Sequence, residues 1–292
     1  MICKNKVFLF FVNLFLLFLV AICIIPFWLM FVSSITSETS LAQFGYSLWP
    51  REINLDSYRY LWTVRHPIAR AYMMSFIISG IGVTANVTIT TLFAYPLSRK
   101  DLPGRRIISF ILFFTMLFNG GFVSTYIVYS HLLKVSDTLA GMIVPYLLMN
   151  AFYVIMMRTY MSTNIPSEVL EAAKIDGASE FQCLGRVALP MSRPIIATVA
   201  LMSLIAYWNN WTNGVYFLTS RTDLYGIQNY LNAVLNSVQF LANNATGSIV
   251  LEIPSIGIRM AIAFVAVVPV LCMYPFFQKS FVKGITIGSV KG

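Results

Sequence analysis

At 292 residues the chain is long enough for one or two soluble domains. A make-up of 58% hydrophobic against 11% charged residues excludes that class. The net charge of +9 is spread along the chain rather than gathered on one basic face, which excludes a nucleic-acid-binding role.

A helix needs about 20 predominantly apolar residues to cross a bilayer. Six windows without Asp, Glu, Lys or Arg meet or nearly meet that length: 7–37, 71–98, 107–133, 138–157, 194–220 and 260–278. Backbone polar groups in lipid must be satisfied internally, so these windows predict helices. The expected fold is all-α and polytopic, with six transmembrane helices. A seventh uncharged window, 224–251, carries Asn229, Asn232, Asn236, Asn243 and Asn244 with Gln228 and Gln239. Asn229, Asn232 and Asn236 share one helical face, while Leu231, Val234, Leu235 and Val238 mark another. That pattern predicts an interfacial or partner-facing helix rather than a span.

With the N-terminus inside, thirteen of the 20 Lys and Arg residues fall in inner segments, which sets the orientation and places both termini in the cytoplasm. Lys4 and Lys6 precede an apolar run too long for a signal peptide, and no Ala-x-Ala site follows it, so an uncleaved first span is expected. The outer stretch 38–70 carries Trp49, Tyr58, Tyr60 and Trp62, aromatics suited first to interfacial anchoring and second to solute contact. The second window ends at Tyr95-Pro96-Leu97-Ser98-Arg99, and a short basic turn with Asp101, Pro103 and Gly104 follows. Phe118-Asn119-Gly120-Gly121-Phe122-Val123-Ser124-Thr125-Tyr126 places paired glycines inside a span, where they favour close packing or a bend.

Residues 164–190 form the longest well-charged stretch between apolar windows. Asn164 is the expected N-cap, with Pro166 in the first turn and Glu168 and Glu171 at the end of the helix that favours negative charge. Val169, Leu170 and Ala173 make an apolar stripe, and Gly177 is the expected stop, since glycine takes a left-handed conformation freely. A second helix over 178–188 would turn Phe181, Leu184, Val187 and Ala188 inward and close at Pro190. Two short helices meeting at a glycine form an elbow.

Glu171-Ala172-Ala173, three residues, Gly177, nine residues, then Val187-x-Leu189-Pro190 resemble the EAA loop of ATP-binding-cassette importer permeases, with Val187 in place of the usual Ile. The Glu-Ala-Ala tripeptide alone would fit any amphipathic loop; the glycine and the Leu-Pro in register give the match its weight. The ending of the second window resembles the family's exit from the equivalent span, and the Gly-Gly run resembles its oligosaccharide branch, with Ser124 replacing a proline. The tail from Phe281 to Gly292 is similar to that of maltose-permease-like subunits. The resemblance implies a single permease domain over 1–292, with a first helix at 7–37, a core at 71–283 and a cytoplasmic tail at 284–292. It also implies a cytoplasmic elbow gripped by a separate ATPase, with docking residues Glu168, Glu171, Ala172, Ala173, Asp176, Gly177, Leu189 and Pro190.

In the fifth window, Tyr207-Trp208-Asn209-Asn210-Trp211-Thr212-Asn213 puts rings and amides together at membrane depth. Such groups line a wet pathway or hold helices to one another. Tyr207, Trp208, Asn209, Trp211 and Asn213 are accordingly candidate pathway residues, with helix–helix bonding the equal alternative. Asn236 and the small-residue tip Thr246-Gly247-Ser248 are candidates for contact with a solute-binding protein, on the analogy of the corresponding outer loop in maltose-type systems.

The chain carries no phosphate-binding G-x-x-x-x-G-K-[ST] motif, so ATP would be bound by a partner subunit and no cofactor by this chain. His66 and His131 lack ligand spacing, and the four cysteines are scattered, which predicts neither a metal site nor a disulfide. The resemblance thus implies a multi-pass subunit of a bacterial cytoplasmic-membrane importer for a carbohydrate, most closely the branch for larger or acidic oligosaccharides. Its implied partners are a second, related permease, an ATPase dimer, an extracytoplasmic binding protein and the bilayer. An ion-coupled secondary transporter is the rival reading. It calls for intramembrane ionisable residues, and the six windows hold no Asp or Glu. An enzyme would need a nucleophile, base or metal cluster at membrane depth, and none is expected.

Overall fold

A chain this apolar has no water with which to complete its backbone hydrogen bonds in a bilayer, and it completes them as helices. A computed structural model describes residues 6–244, 256–269 and 271–272. In chain order the helices are α1 (Lys6–Ser34), α2 (Glu38–Phe44), α3 (Asp56–Thr63), α4 (Arg65–Ser98), α5 (Arg105–Leu117), α6 (Gly121–Leu132), α7 (Leu139–Ile143), α8 (Ala151–Asn164), α9 (Ser167–Ile175), α10 (Glu180–Met191), α11 (Arg193–Trp208), α12 (Thr212–Phe217), α13 (Ile227–Asn244) and α14 (Ile256–Pro269). Among the described residues the only extended pairing is a bridge between Thr36 and Ile53. The chain divides into two compact units, Met1–Ala69 with Tyr230–Pro269 and Arg70–Asn229 with Val270–Gly292.

Two of the six apolar windows form continuous helices long and apolar enough to cross a membrane, α1 with 29 residues and α4 with 34. The others are interrupted. The 107–133 window breaks between α5 and α6 at a bend of 114°, where Gly121 takes φ +81° and donates its N–H to the Asn119 side chain at 3.0 Å. The paired glycines therefore bend the chain. The 138–157 window contains only the five residues of α7 before an irregular turn in which Tyr146 has φ +64°. The 194–220 window stops at Trp208 and resumes as α12. Counting each bent pair as one, up to four segments of the described chain could cross. The polar α13 is not among them.

In the first unit, α1 is apolar all round. Its Phe8, Phe11, Phe15 and Leu17 are exposed, as a lipid-facing helix requires. Beyond it the chain turns back on itself: Ser37 N–H donates to Glu52 O at 3.0 Å and Asn54 N–H to Ile35 O at 2.9 Å. The Tyr58 hydroxyl of α3 meets the Ser34 hydroxyl at 2.8 Å. The Glu38 carboxylate accepts the N–H groups of Ile256 and Gly257 at 3.1 and 3.4 Å, placing a negative charge on the α14 N-terminus, where the helix dipole favours it. Phe31 and Phe264 pack at 5.1 Å between ring centres.

In the second unit, the break after α7 frees carbonyls that lipid cannot satisfy, and side chains from other helices take them up. The Asn86 amide of α4 donates to Leu147 O at 2.8 Å and Leu148 O at 3.2 Å, while its oxygen accepts the Ser203 hydroxyl of α11 at 2.7 Å. The Tyr207 hydroxyl donates to Ile143 O at 3.0 Å. The Asn213 amide donates to Met142 O at 3.2 Å and Pro145 O at 3.0 Å. Asp137 then ties two loops together by accepting the backbone N–H groups of Thr219, Ser220 and Arg221 and both neighbouring hydroxyls. Those donors hold its carboxyl well below the usual carboxylate range.

The Asn86 bonds generate a stability prediction. Asn86→Leu leaves two carbonyls and the Ser203 hydroxyl unpartnered in a buried place. The loss should be about 1–2 kcal/mol of stability, with Ser203→Ala costing less. Thermal melting of the purified protein in detergent checks it, and equal midpoints for Asn86→Leu and the unaltered chain would contradict it.

Candidate functional site

The elbow is set by its caps. Ile165 precedes a proline, which disfavours the helical region, and it lies extended at φ −106°, ψ 108°. That stops α8 at Asn164 and moves the α9 N-cap to Pro166. Asn164 is therefore not the N-cap; its side chain donates back to Tyr160 O at 3.0 Å. At the other end Gly177 has φ +83°, with Gly177 N–H bonded to Lys174 O at 3.0 Å and Ala178 N–H to Ala173 O at 2.9 Å. This is the Schellman closure that glycine is suited to. A side chain added there would meet nothing within 4 Å, so the demand for glycine is conformational alone.

The second helix starts two residues later than its apolar pattern suggests. Ser179 is its N-cap in a reciprocal capping box: the Gln182 side chain accepts Ser179 N–H at 2.9 Å, and the Ser179 hydroxyl accepts Gln182 N–H at 3.4 Å. The helix widens to a π turn over Cys183–Ala188 and continues through Pro190 to Met191. The expected close at Pro190 falls instead at Ser192, whose N–H bonds to Ala188 O at 2.9 Å before α11 departs at 81°. Leu184 and Ala188 enter the core, whereas Phe181, expected inward, is 80% exposed in the first turn beyond it. Leu170 is also buried; Glu168, Glu171, Ala172, Asp176, Gly177 and Pro190 are exposed, and Ala173 and Leu189 lie half-buried against the core. The outward face thus combines carboxylates with Ile175, 86% exposed, and Phe181.

A polar cluster joins this elbow to the end of α4. Arg99 grips Asp101 in a two-pronged bond, Nε at 2.9 Å and Nη2 at 2.8 Å, and its Nη1 lies 3.5 Å from Glu180. The Tyr95 hydroxyl donates to Glu180 at 3.1 Å. Lys174 of α9 pairs with Glu180 and reaches Asp101 at 4.0 Å. The α4 carbonyl of Leu97 accepts Arg105 Nε at 2.9 Å and Arg158 Nε at 3.3 Å. The Arg99 bonds hold the Asp101 carboxyl down to about 2, and the Lys174 hydrogen bond foremost lowers that of Glu180. The Asp101 bond in turn raises Arg99. A cleft of about 430 Å³ runs beside the cluster, bounded by Leu92, Pro96, Pro103 and Phe181. In sequence, Tyr95 and Arg99 signal only the end of a span; the Ser-x-x-Gln capping signature at 179–182 was the cue to where Glu180 sits.

The polar run at the end of α11 separates into two groups. Tyr207, Trp208 and Asn213 are buried, and Tyr207 and Asn213 spend their hydrogen bonds on the broken turn before α8. The Trp208 ring packs on Phe76 at 5.2 Å. Asn209 and Trp211 are exposed. On α13, Asn229 is not on an outward face with Asn236: it is buried and donates to Trp211 O at 2.6 Å, while Asn236 is exposed. Thr246, Gly247, Ser248 and the tail 281–292 lie outside the described residues.

The family described as "Binding-protein-dependent transport system inner membrane component" matches residues 86–287, a range that holds the whole elbow. The chain belongs to that family. It is a transport permease of the inner membrane, not an enzyme. The permease is 34% identical to the polygalacturonan/rhamnogalacturonan transport system permease protein YtcP of Bacillus subtilis strain 168, over 99% of this chain and 100% of YtcP. It is 34% identical to protein LplC of the same organism, over 93% of this chain and 90% of LplC. Its fold is similar to a chain in the crystal structure of a bacterial ABC transporter involved in the import of the acidic polysaccharide alginate, with TM-score 0.78 and 27% identity over 96% of this chain and 99% of that one.

The depressed Asp101 carboxyl fixes a pH window. A group lowered on folding contributes stability above its ordinary value and loses it as the pH falls through the folded one. The stability difference between the unaltered permease and Asp101→Asn should therefore stay constant from about pH 8 to about pH 5 and fade between about 3.9 and about 2. Melting midpoints of the two proteins across pH check it. A difference that fades near pH 6 would contradict it.

Proposed function

We propose that the permease forms part of the translocation pathway of a carbohydrate importer and that its elbow is the seat of a separate ATPase subunit. The observation that carries this is the elbow's construction: two separately capped helices, an outward face of carboxylates with Ile175 and Phe181, and a core and ion cluster fixing it to the rest of the unit. An exposed apolar patch bordered by charge suits a protein partner. Glu168, Glu171, Ala172, Ala173, Asp176, Gly177, Leu189 and Pro190 are the proposed docking residues. The proposed cargo is an oligosaccharide of the larger or acidic kind, supported by the polysaccharide systems named for YtcP and for the alginate transporter.

The proposed topology is six crossings with both termini cytoplasmic, within a single permease domain. It rests on the excess of Lys and Arg in the inner segments and on the six uncharged windows, of which α1 and α4 are continuous helices long enough to cross. A complete importer would add a second related permease, an ATPase dimer and an extracytoplasmic binding protein. Movement of the elbow on ATP binding would switch the spans between two access states. Asn209 and Trp211, with their exposed polar edges, are the pathway residues retained from the fifth window, and Asn236 marks the outer surface that would face the binding protein.

Two outcomes test this reading. Gly177→Val forces a branched residue into the left-handed region at a cost of roughly 1–2 kcal/mol, so ATPase copurification and sugar uptake should both fall while membrane insertion persists. Normal uptake by that variant would sink the docking role. A cysteine at Asn236 should react with an impermeant thiol reagent added outside intact cells; labelling only from the cytoplasmic side would reverse the topology.

A further inference from the structure

We propose that Tyr95, Arg99, Asp101, Lys174 and Glu180 act as a clasp, positioning residues that make the elbow and the inner end of α4 one moving body. The inference rests on the docking role of the elbow proposed above and adds the route by which displacement leaves it.

Covalent connections leave the elbow at both ends, from α9 back to α8 through Ile165 and Pro166 and from α10 into α11, and one further connection passes through space. The connection from α10 into α11 runs through Ser192, where the helix axis turns by 81°. Ser192 is buried at that turn, and Ile195 and Val199 of α11 enter the elbow's own core, so α11 is packed to the elbow as well. The connection through space leads to α4. Tyr95 and Leu97 share one buried core with Leu170, Leu184 and Ala188 of the elbow. Over that core lies the ion cluster, in which every charged member has two partners or more: Arg99 with Asp101 and Glu180, Lys174 with Glu180 and Asp101. The Arg99 side chain is only 14% exposed while Asp101 and Glu180 stand 63% and 54% exposed, so solvent screens the ion pairs and the core beneath carries more of the hold. Glu180 holds a central place, contacted by Tyr95 and Arg99 from α4 and its end and by Lys174 from α9. α4 itself continues unbroken for 34 residues, about 50 Å at 1.5 Å per residue. A push on the elbow would thus reach the far end of α4 through a clasp and a rod.

The sequence run Tyr95-Pro96-Leu97-Ser98-Arg99 gains a role in this account. Tyr95 supplies a buried ring with a hydroxyl aimed at Glu180, and Arg99, one turn on, supplies the fork that Asp101 fills.

A covalent link is the direct test. Asp101→Cys and Lys174→Cys are combined in a chain whose native cysteines are replaced, and the pair is bridged with a short bifunctional thiosulfonate. The permease is then reconstituted with its partner permease, ATPase and binding protein. If elbow and α4 travel together, the bridge restrains nothing that must move, and uptake stays close to that of the same protein capped with a monofunctional reagent. Loss of uptake on bridging alone would overturn the clasp. The second measurement is transport per ATP hydrolysed. With Arg99→Ala or Glu180→Gln, the ATPase should still copurify, yet the ratio should drop by about fivefold or more, the low end of ordinary coupling between sites. Tyr95→Phe keeps the buried ring and should give a smaller drop in the same direction. An unchanged ratio in all three variants would overturn the proposal. Failure of the docking role itself would appear elsewhere, as normal ATPase binding and uptake by Gly177→Val.

Discussion

Carbonyls released where a helix breaks inside a bilayer find no water, and the architecture of the second unit follows from that constraint. The turn between α7 and α8 breaks the 138–157 window, and Asn86, Tyr207 and Asn213 come in from three other helices, α4, α11 and α12, to satisfy it. Each polar side chain is thereby consumed by backbone. This answers the choice left open for the polar run at 207–213 in the case of Tyr207 and Asn213: they bind helices together. It also explains how a short, irregular stretch persists in a protein with so few charges. A broken span held this way can keep a fixed shape without being a helix.

The elbow obeys the same logic in a better-charged part of the chain. Its two helices are too short to be stable on local propensity alone. They are held by caps at Gly177 and Ser179, by Leu170, Leu184 and Ala188 in a shared core, and by the cluster around Glu180. What they leave outside, Ile175 and Phe181 among carboxylates, is costly for a protein alone and useful to a protein with a partner.

Much of this was legible in the sequence where one residue type does one job. The glycine at 177 required a left-handed turn and has one; the uncharged runs required helices and, among the described residues, are mostly helical. Continuity within those runs was not legible, because hydropathy measures what lipid accepts and is blind to where a helix breaks. Gly120-Gly121 hinted at one break, but only Pro145 marked the turn at Tyr146, whose stability comes from residues far away in the chain. Asn164 lost the cap to Pro166 because the proline's restriction on Ile165 outweighs the capping preference of an asparagine. The Asn229 face failed for a related reason: three asparagines at helical spacing look alike, yet one is buried against Trp211 O. The clasp was invisible because its members lie up to 85 residues apart and meet only when α4 and the elbow pack.

The central claim is that an ATPase grips the outward face of the elbow. Photo-crosslinking from Ile175 and from Phe181 in the assembled importer tests it most directly, since both side chains stand clear of the permease's own core. The account predicts crosslinks from both positions to the ATPase subunit, with none from the buried Leu184. Crosslinks to lipid or to no protein from Ile175 and Phe181, with the ATPase captured instead from another cytoplasmic segment, would contradict it.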